Sequence, residues 1–135
     1  YRSHSFPTRR SSDLFIKTRS TRNDFIFFDK NTRKSIGMIS LENKKYNILS
    51  ENCYELSKFI GNSSFSGKGY ALEATSTVLD HFKRNNNVEF FYAITRKDNY
   101  SNIKLNQKVG FAIEEFPDYI KHNPKSWIYM KMKIK

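Results

Sequence analysis

A glycine-rich turn, Ser66-Gly67-Lys68-Gly69-Tyr70-Ala71, sits between an alternating strand and an amphipathic helix. Upstream, Asn52–Ile60 (NCYELSKFI) has Tyr54, Leu56, Lys58 and Ile60 on one face and Cys53, Glu55, Ser57 and Phe59 on the other. Downstream, Ala71, Ala74, Val78, Leu79 and Phe82 recur at helical spacing to about Arg84. Gly67 and Gly69 let the main chain approach a ligand closely. The first N–H groups of the helix lack partners within it and point the same way, and the helix dipole favours negative charge there. The turn is a candidate phosphate site, with an ordinary loop as its alternative.

The surrounding elements follow a definite order. Asp24–Asp29 (DFIFFD) reads as a short buried strand, Asn31–Lys34 as a turn, and Ser35–Leu41 (SIGMISL) as the second arm of a hairpin. Glu42–Glu51 is a polar connector into the strand that precedes the turn. After the first helix, Asn85-Asn86-Asn87 suits a stop, and Val88–Ile94 (VEFFYAI) is almost wholly apolar, as a central strand should be. A second helix is predicted over Tyr100–Val109, capped by Asp98 or Asn99 and stopped by Gly110. Phe111–Glu115 starts another strand, and Trp127–Ile134 alternates as a half-buried edge strand. The order β-β-β-α-β-α-β-β predicts an α/β (α+β) fold with a mixed, mostly antiparallel sheet flanked by helices.

The 135 residues suffice for one domain with a real core, and 16% aromatic content argues against disorder. No apolar run is long enough to span a bilayer. Cys53 is the single cysteine and staples nothing within the chain, which fits a cytoplasmic setting. The net charge of +11 raises nucleic acid as a partner, yet basic residues never exceed two in a row and read as a solvated surface. His81 and His122 lack a carboxylate or Cys at ligand spacing, so both read as surface residues and no metal is expected. His4–Leu14 (HSFPTRRSSDL) resembles one reading frame of a sequencing adapter. Tyr1–Leu14 is therefore set aside as an unstructured artefact, and residues 15–135 are taken as the domain.

Phe59-Ile60-Gly61, Gly67-Lys68-Gly69-Tyr70-Ala71-Leu72-Glu73-Ala74, Asn99 and Lys108-Val109-Gly110-Phe111 resemble the GNAT N-acetyltransferase superfamily. The branch most similar in pattern holds ribosomal-protein alanine acetyltransferases and amino-sugar acetyltransferases. The resemblance covers about Asp24 to Lys135. It implies acetyl-CoA as co-substrate, with its pyrophosphate on the amides of Ser66, Gly67, Lys68, Gly69, Tyr70 and Ala71. It also implies contacts from Asn99 and Asn102 to the pantetheine arm, although a helix cap explains Asn99 equally well. Ser66 departs from the family, which usually has Gln, Arg or a large residue there. The family begins with a strand and two helices ahead of Asp24, so a truncated domain is expected here. Such a chain would expose the edge of Asp24–Asp29, dissolve poorly and lack activity.

Acetyl transfer to an amine needs the neutral amine, because only its lone pair attacks a thioester carbonyl, and a carboxylate can take the proton. Glu55 aligns with the strand glutamate that does this in many relatives; a cross-strand ion pair with a Lys is its alternative. Backbone N–H groups of the strands Asn52–Ile60 and Val88–Ile94 could polarise the carbonyl. Many relatives place a Tyr at the position of Asn106 to protonate the leaving thiolate. Asn cannot do that, and Tyr100 and Ser101 are the nearby substitutes. Cys53 reads as a packed side chain rather than an acetyl carrier. The function implied is direct transfer from acetyl-CoA to a primary amine, on a protein N-terminus or an amino sugar, by a monomer or homodimer. The alternative is a degenerate, non-catalytic basic module that binds CoA, a nucleotide or nucleic acid.

Overall fold

The computed structural model describes residues 3–7, 14–19, 22–44, 52–61 and 69–135. Within them lie β1 (Ser3–Pro7), β2 (Leu14–Arg19), β3 (Arg22–Asp29), β4 (Ser35–Glu42), β5 (Cys53–Ile60), α1 (Tyr70–Asn85), β6 (Phe90–Arg96), α2 (Tyr100–Val109), β7 (Ala112–Glu114) and β8 (Trp127–Lys133). The chain divides into two units, Tyr1–Leu41 with Ser57–Asn86 and Glu42–Leu56 with Asn87–Lys135. The boundary falls within β5, so its first half belongs to the second unit and its second half to the first.

In the first unit the strands follow the order β1-β2-β3-β4-β5, and β1/β2, β2/β3 and β3/β4 are antiparallel. The β3–β4 hairpin closes because the Asp29 side chain accepts from Thr32 N–H at 2.8 Å, while its backbone pairs with Arg33 and Lys34. Arg33 takes the left-handed conformation that this turn demands, at φ 61°. Gly37 is dictated by crowding: a Cβ there would lie 2.4 Å from the Phe59 carbonyl oxygen and 2.8 Å from the Phe27 ring. The α1 face carrying Ala74, Val78, Leu79 and Phe82 is buried, as are Phe25 and Phe27 of β3. The Phe25 ring meets Phe82 edge-on at 6.4 Å.

In the second unit the order is β5-β6-β8-β7. β5 and β6 run parallel for three register pairs, Cys53↔Phe90, Tyr54↔Phe91 and Glu55↔Tyr92, where the ladder ends. β6 pairs antiparallel with β8 along its whole length, from Phe90↔Lys133 to Arg96↔Trp127. Phe91, Tyr92, Ala93, Tyr129 and Met130 are buried, so both faces of β6 and β8 are covered. The fold class is the expected one: α/β, with strands mixed in direction and mostly antiparallel.

Three sequence expectations change. Ser3–Pro7 forms β1, paired with β2 from Ser3↔Arg19 to Pro7↔Phe15, in a stretch expected to be unstructured. The next strand, β2, buries Leu14, Ile16 and Thr18 in alternation with Phe15 and Lys17. The boundary drawn at Leu14 had cut that alternation at its start. As a result the edge of β3 is not open, because β2 pairs along it from Leu14↔Asp29 onward. Finally, β8 is interior; its outer neighbour is the three-residue β7, all of it exposed.

Candidate active site

The phosphate turn belongs to the first unit. Its Ser66, Gly67 and Lys68 lie outside the described residues; Gly69, Tyr70 and Ala71 lie within them. Gly69 is the N-cap of α1, left-handed at φ 76°, and its carbonyl accepts from Glu73 N–H at 3.0 Å. As a glycine, this N-cap has no side chain of its own to bond to the first turn of α1. Among the described residues, nothing lies within 4 Å of a Cβ placed on Gly69. Thr75 and Thr77 return their hydroxyls to the Ala71 and Glu73 carbonyls at 2.6 and 2.8 Å, which lets both bury within the helix. The described half of the turn therefore offers a helix N-terminus and a left-handed glycine, which fits a phosphate group.

The candidate chemistry lies in the second unit. Glu55 stands opposite Tyr92 in the last pair of the parallel ladder, and its side chain is only 12% exposed. It is ion-paired: Lys44 Nζ lies 2.9 Å from Glu55 Oε1 and 3.9 Å from Glu42 Oε2. The ion pair weighed as the alternative for Glu55 is therefore present, with Lys44 as the partner. Lys44 escaped the sequence reading because it lies near the start of the polar connector after β4, and its pairing with Glu55 depends on a strand arrangement that composition does not reveal.

At the far end of β6 the first turn of α2 is tightly tied. The Asn99 side chain accepts from Asn102 N–H at 3.3 Å and from the Ser101 hydroxyl at 3.3 Å, so its capping role is real. Asn102 donates from Nδ2 to Thr95 Oγ1 at 3.2 Å, anchoring the turn to β6. Tyr100 projects into solvent at 72% exposure. Thus Asn99, Tyr100, Ser101 and Asn102 form one cluster at the head of α2. Asn106 is elsewhere: it is fully buried, its Nδ2 lies 3.8 Å from Met130 Sδ, and its carbonyl receives Gly110 and Phe111 N–H.

The 110-residue span 3–112 matches the model of the acetyltransferase (GNAT) domain family. The chain belongs to the GNAT family. Among solved structures, this GNAT chain is similar to a GNAT-family acetyltransferase from Bacillus anthracis, at TM-score 0.68 and 17% identity over 85% of this chain. It is also similar to the ribosomal-protein-S5-alanine acetyltransferase of Vibrio fischeri, at TM-score 0.65 and 22% identity over 82% of it. A third is a ribosomal L7/L12 alpha-N-protein acetyltransferase in complex with coenzyme A, at TM-score 0.64 and 16% identity over 82% of it. The GNAT chain spans 68%, 60% and 61% of those three chains respectively. Among curated proteins nothing matches it.

Other polar groups in this GNAT domain have structural explanations. Tyr129 is buried, and that burial, followed by the neighbouring Tyr119, Glu114 and Cys53, pushes its hydroxyl above the usual phenol range; it hydrogen-bonds Tyr119. Burial pushes Lys58 on β5 down to about 8. The sequence had placed Lys58 on the apolar face of its strand, and that misfit was the available signal. His81 is not a plain surface residue, because its ring stacks on Phe6 at 4.1 Å. His122 is exposed and stacks on Phe116 at 6.0 Å. Among the described residues no group of three His, Cys, Asp or Glu could hold a metal, and no helix is long and apolar enough to cross a membrane.

Proposed function

We propose that this domain transfers the acetyl group of acetyl-CoA directly to a primary amine, carried by a protein N-terminus or an amino sugar. One observation carries the reading: a mostly buried carboxylate, Glu55, holds a primary ammonium at 2.9 Å beside the point where two parallel strands stop pairing. A carboxylate so placed binds an amine and accepts the proton that the amine must lose before it can attack. Past Glu55 and Tyr92 the ladder no longer joins β5 to β6, so backbone N–H groups there are candidates for the thioester carbonyl. The residues assigned to acetyl-CoA are Ser66, Gly67, Lys68, Gly69, Tyr70 and Ala71 for the pyrophosphate, with Asn99 and Asn102 for the arm. The co-substrate supplies an activated acyl thioester with a thiolate leaving group. Tyr100 and Ser101 are the hydroxyls available to protonate that thiolate, since Asn106 is both buried and no acid.

A thermal-shift titration with CoA, paired with a thiol-release assay on a peptide N-terminus and an amino sugar, tests this. Stabilisation by CoA and amine-dependent thiol release that falls roughly 10²-fold or more in Glu55→Gln are expected. No shift at millimolar CoA would overturn the reading. CoA binding with no transfer to any amine would instead support a non-catalytic binding domain.

A further inference from the structure

The carboxylate assigned to the acceptor amine already holds an amine of this chain. Lys44 Nζ sits 2.9 Å from Glu55 Oε1, and Lys44 follows β4 directly, so the contact is local to the second unit. Glu55 contributes a side chain only 12% exposed, whereas Lys44 is 41% exposed. The lysine head is therefore open to water while its partner is mostly enclosed. A lysine ε-amine is chemically a primary amine, the same class as the proposed acceptors. The pair Lys83–Asp80 at 3.3 Å offers a contrast: it spans one turn of α1 and touches no candidate catalytic residue.

We propose that Lys44 is acetylated by this chain's own activity, an inference that rests on the transfer reading above. Glu55 takes a proton from the Lys44 ammonium, and the freed nitrogen lone pair forms a C–N bond to the acetyl carbonyl carbon of acetyl-CoA. The C–S bond breaks, its electron pair leaves with the CoA sulfur, and the nitrogen's second proton is lost as the sulfur is protonated. The products are Nε-acetyl-Lys44 and CoA. The amide carries no charge, so the ion pair with Glu55 disappears, and once Glu55 releases its proton to water the carboxylate is available to an external amine. Until then, Lys44 competes with every external amine for Glu55. The first turnover on Lys44 thus primes the site for later ones.

The test incubates the full 135-residue chain with acetyl-CoA and follows each lysine by peptide mass spectrometry, with a urea-unfolded sample as the chemical background. Lys44 should gain one acetyl group roughly 10²-fold faster than Lys83, the scale of a positioned proton acceptor. The rate should be independent of protein concentration, and the preference should vanish in Glu55→Gln. Lys44→Arg keeps an ion pair with Glu55 and should show no label on that peptide while retaining the circular dichroism of the parent. Modification of Lys44 no faster than Lys83, or as fast in urea, would overturn the inference. CoA binding and external-amine transfer are measured alongside: if both occur while Lys44 stays unmodified, this inference fails and the transfer reading stands. If CoA does not bind, both fail.

Discussion

Two lysines of this chain show how differently one charge can be used. Lys44 is 41% exposed although its partner Glu55 is 12% exposed, so water screens the lysine end and the pairing contributes about 1 kcal/mol to folding. We expect Lys44→Ala to change urea stability by less than about 1 kcal/mol and to lower KM for an amine acceptor, because the resident cation no longer competes. An unchanged KM would show that the pair does not occupy the acceptor's place. Lys58 is the opposite case, with burial holding it near 8 instead of 10.5. Between those values the folded state has lost the proton while the unfolded chain keeps it. The unfolded state therefore binds more protons, and stability rises with pH across that window. Below about 8 both states are charged and stability no longer varies with pH through this group. Unfolding curves should show a gain on the order of 2–3 kcal/mol from pH 8 to 10.5. Lys58→Met should lack that rise.

At the level of elements, local chemistry decided which parts were readable. The helix boundaries were legible because caps and stops are short-range: Asn99 bonds to Asn102 N–H within α2's first turn, and Gly110 ends it at φ 128°. The turn before α1 was equally legible, since Gly69 occupies a left-handed conformation at φ 76°. What escaped depends on pairing between distant segments. β8 alternates like an edge strand, yet lies between β6 and β7. Lys44 meets Glu55 through the arrangement of β4 and β5, which the polar connector between them conceals. His81 is stacked by Phe6, from a segment set aside on its resemblance to an adapter. Two substitutions probe the elements. Gly69→Ala should destabilise α1 by about 1–2 kcal/mol and weaken CoA stabilisation, while Gly69→Asn should cost less because Asn tolerates the left-handed region. Asn99→Asp keeps a capping oxygen and should preserve the melting temperature. If Asn99 also contacts the acyl donor, the same variant raises KM for acetyl-CoA; an unchanged KM leaves the residue as a cap alone.

Across the whole molecule, the basic charge is partly absorbed by aromatic faces. Lys17 lies over Phe28 at 5.4 Å, Arg33 over Phe15 at 5.3 Å, Arg96 over Trp127 at 5.4 Å and Lys131 over Phe90 at 4.3 Å. Each contact is worth about 0.5–1 kcal/mol at exposed sites, and each ties a cation to its own protein. The same pairs explain why β2 matters to the first unit. Its Lys17 and Phe15 cover the partly exposed side of β3, where Phe15 also stacks on Phe28 at 5.0 Å. Its Leu14 and Ile16 are fully buried on the other side. Burying two such side chains contributes about 1.5–3 kcal/mol each, before the β2/β3 hydrogen bonds are counted. Together these approach the whole stability of a typical domain, about 5–15 kcal/mol. Deleting residues 1–21 should therefore expose the Phe25-Ile26-Phe27-Phe28 edge and give aggregated or unfolded protein by size exclusion and circular dichroism. Deleting only residues 1–13 removes β1 but keeps β2 over β3, and that shorter deletion should remain folded and soluble. If both deletions behave alike, β2 is not what protects the edge of β3.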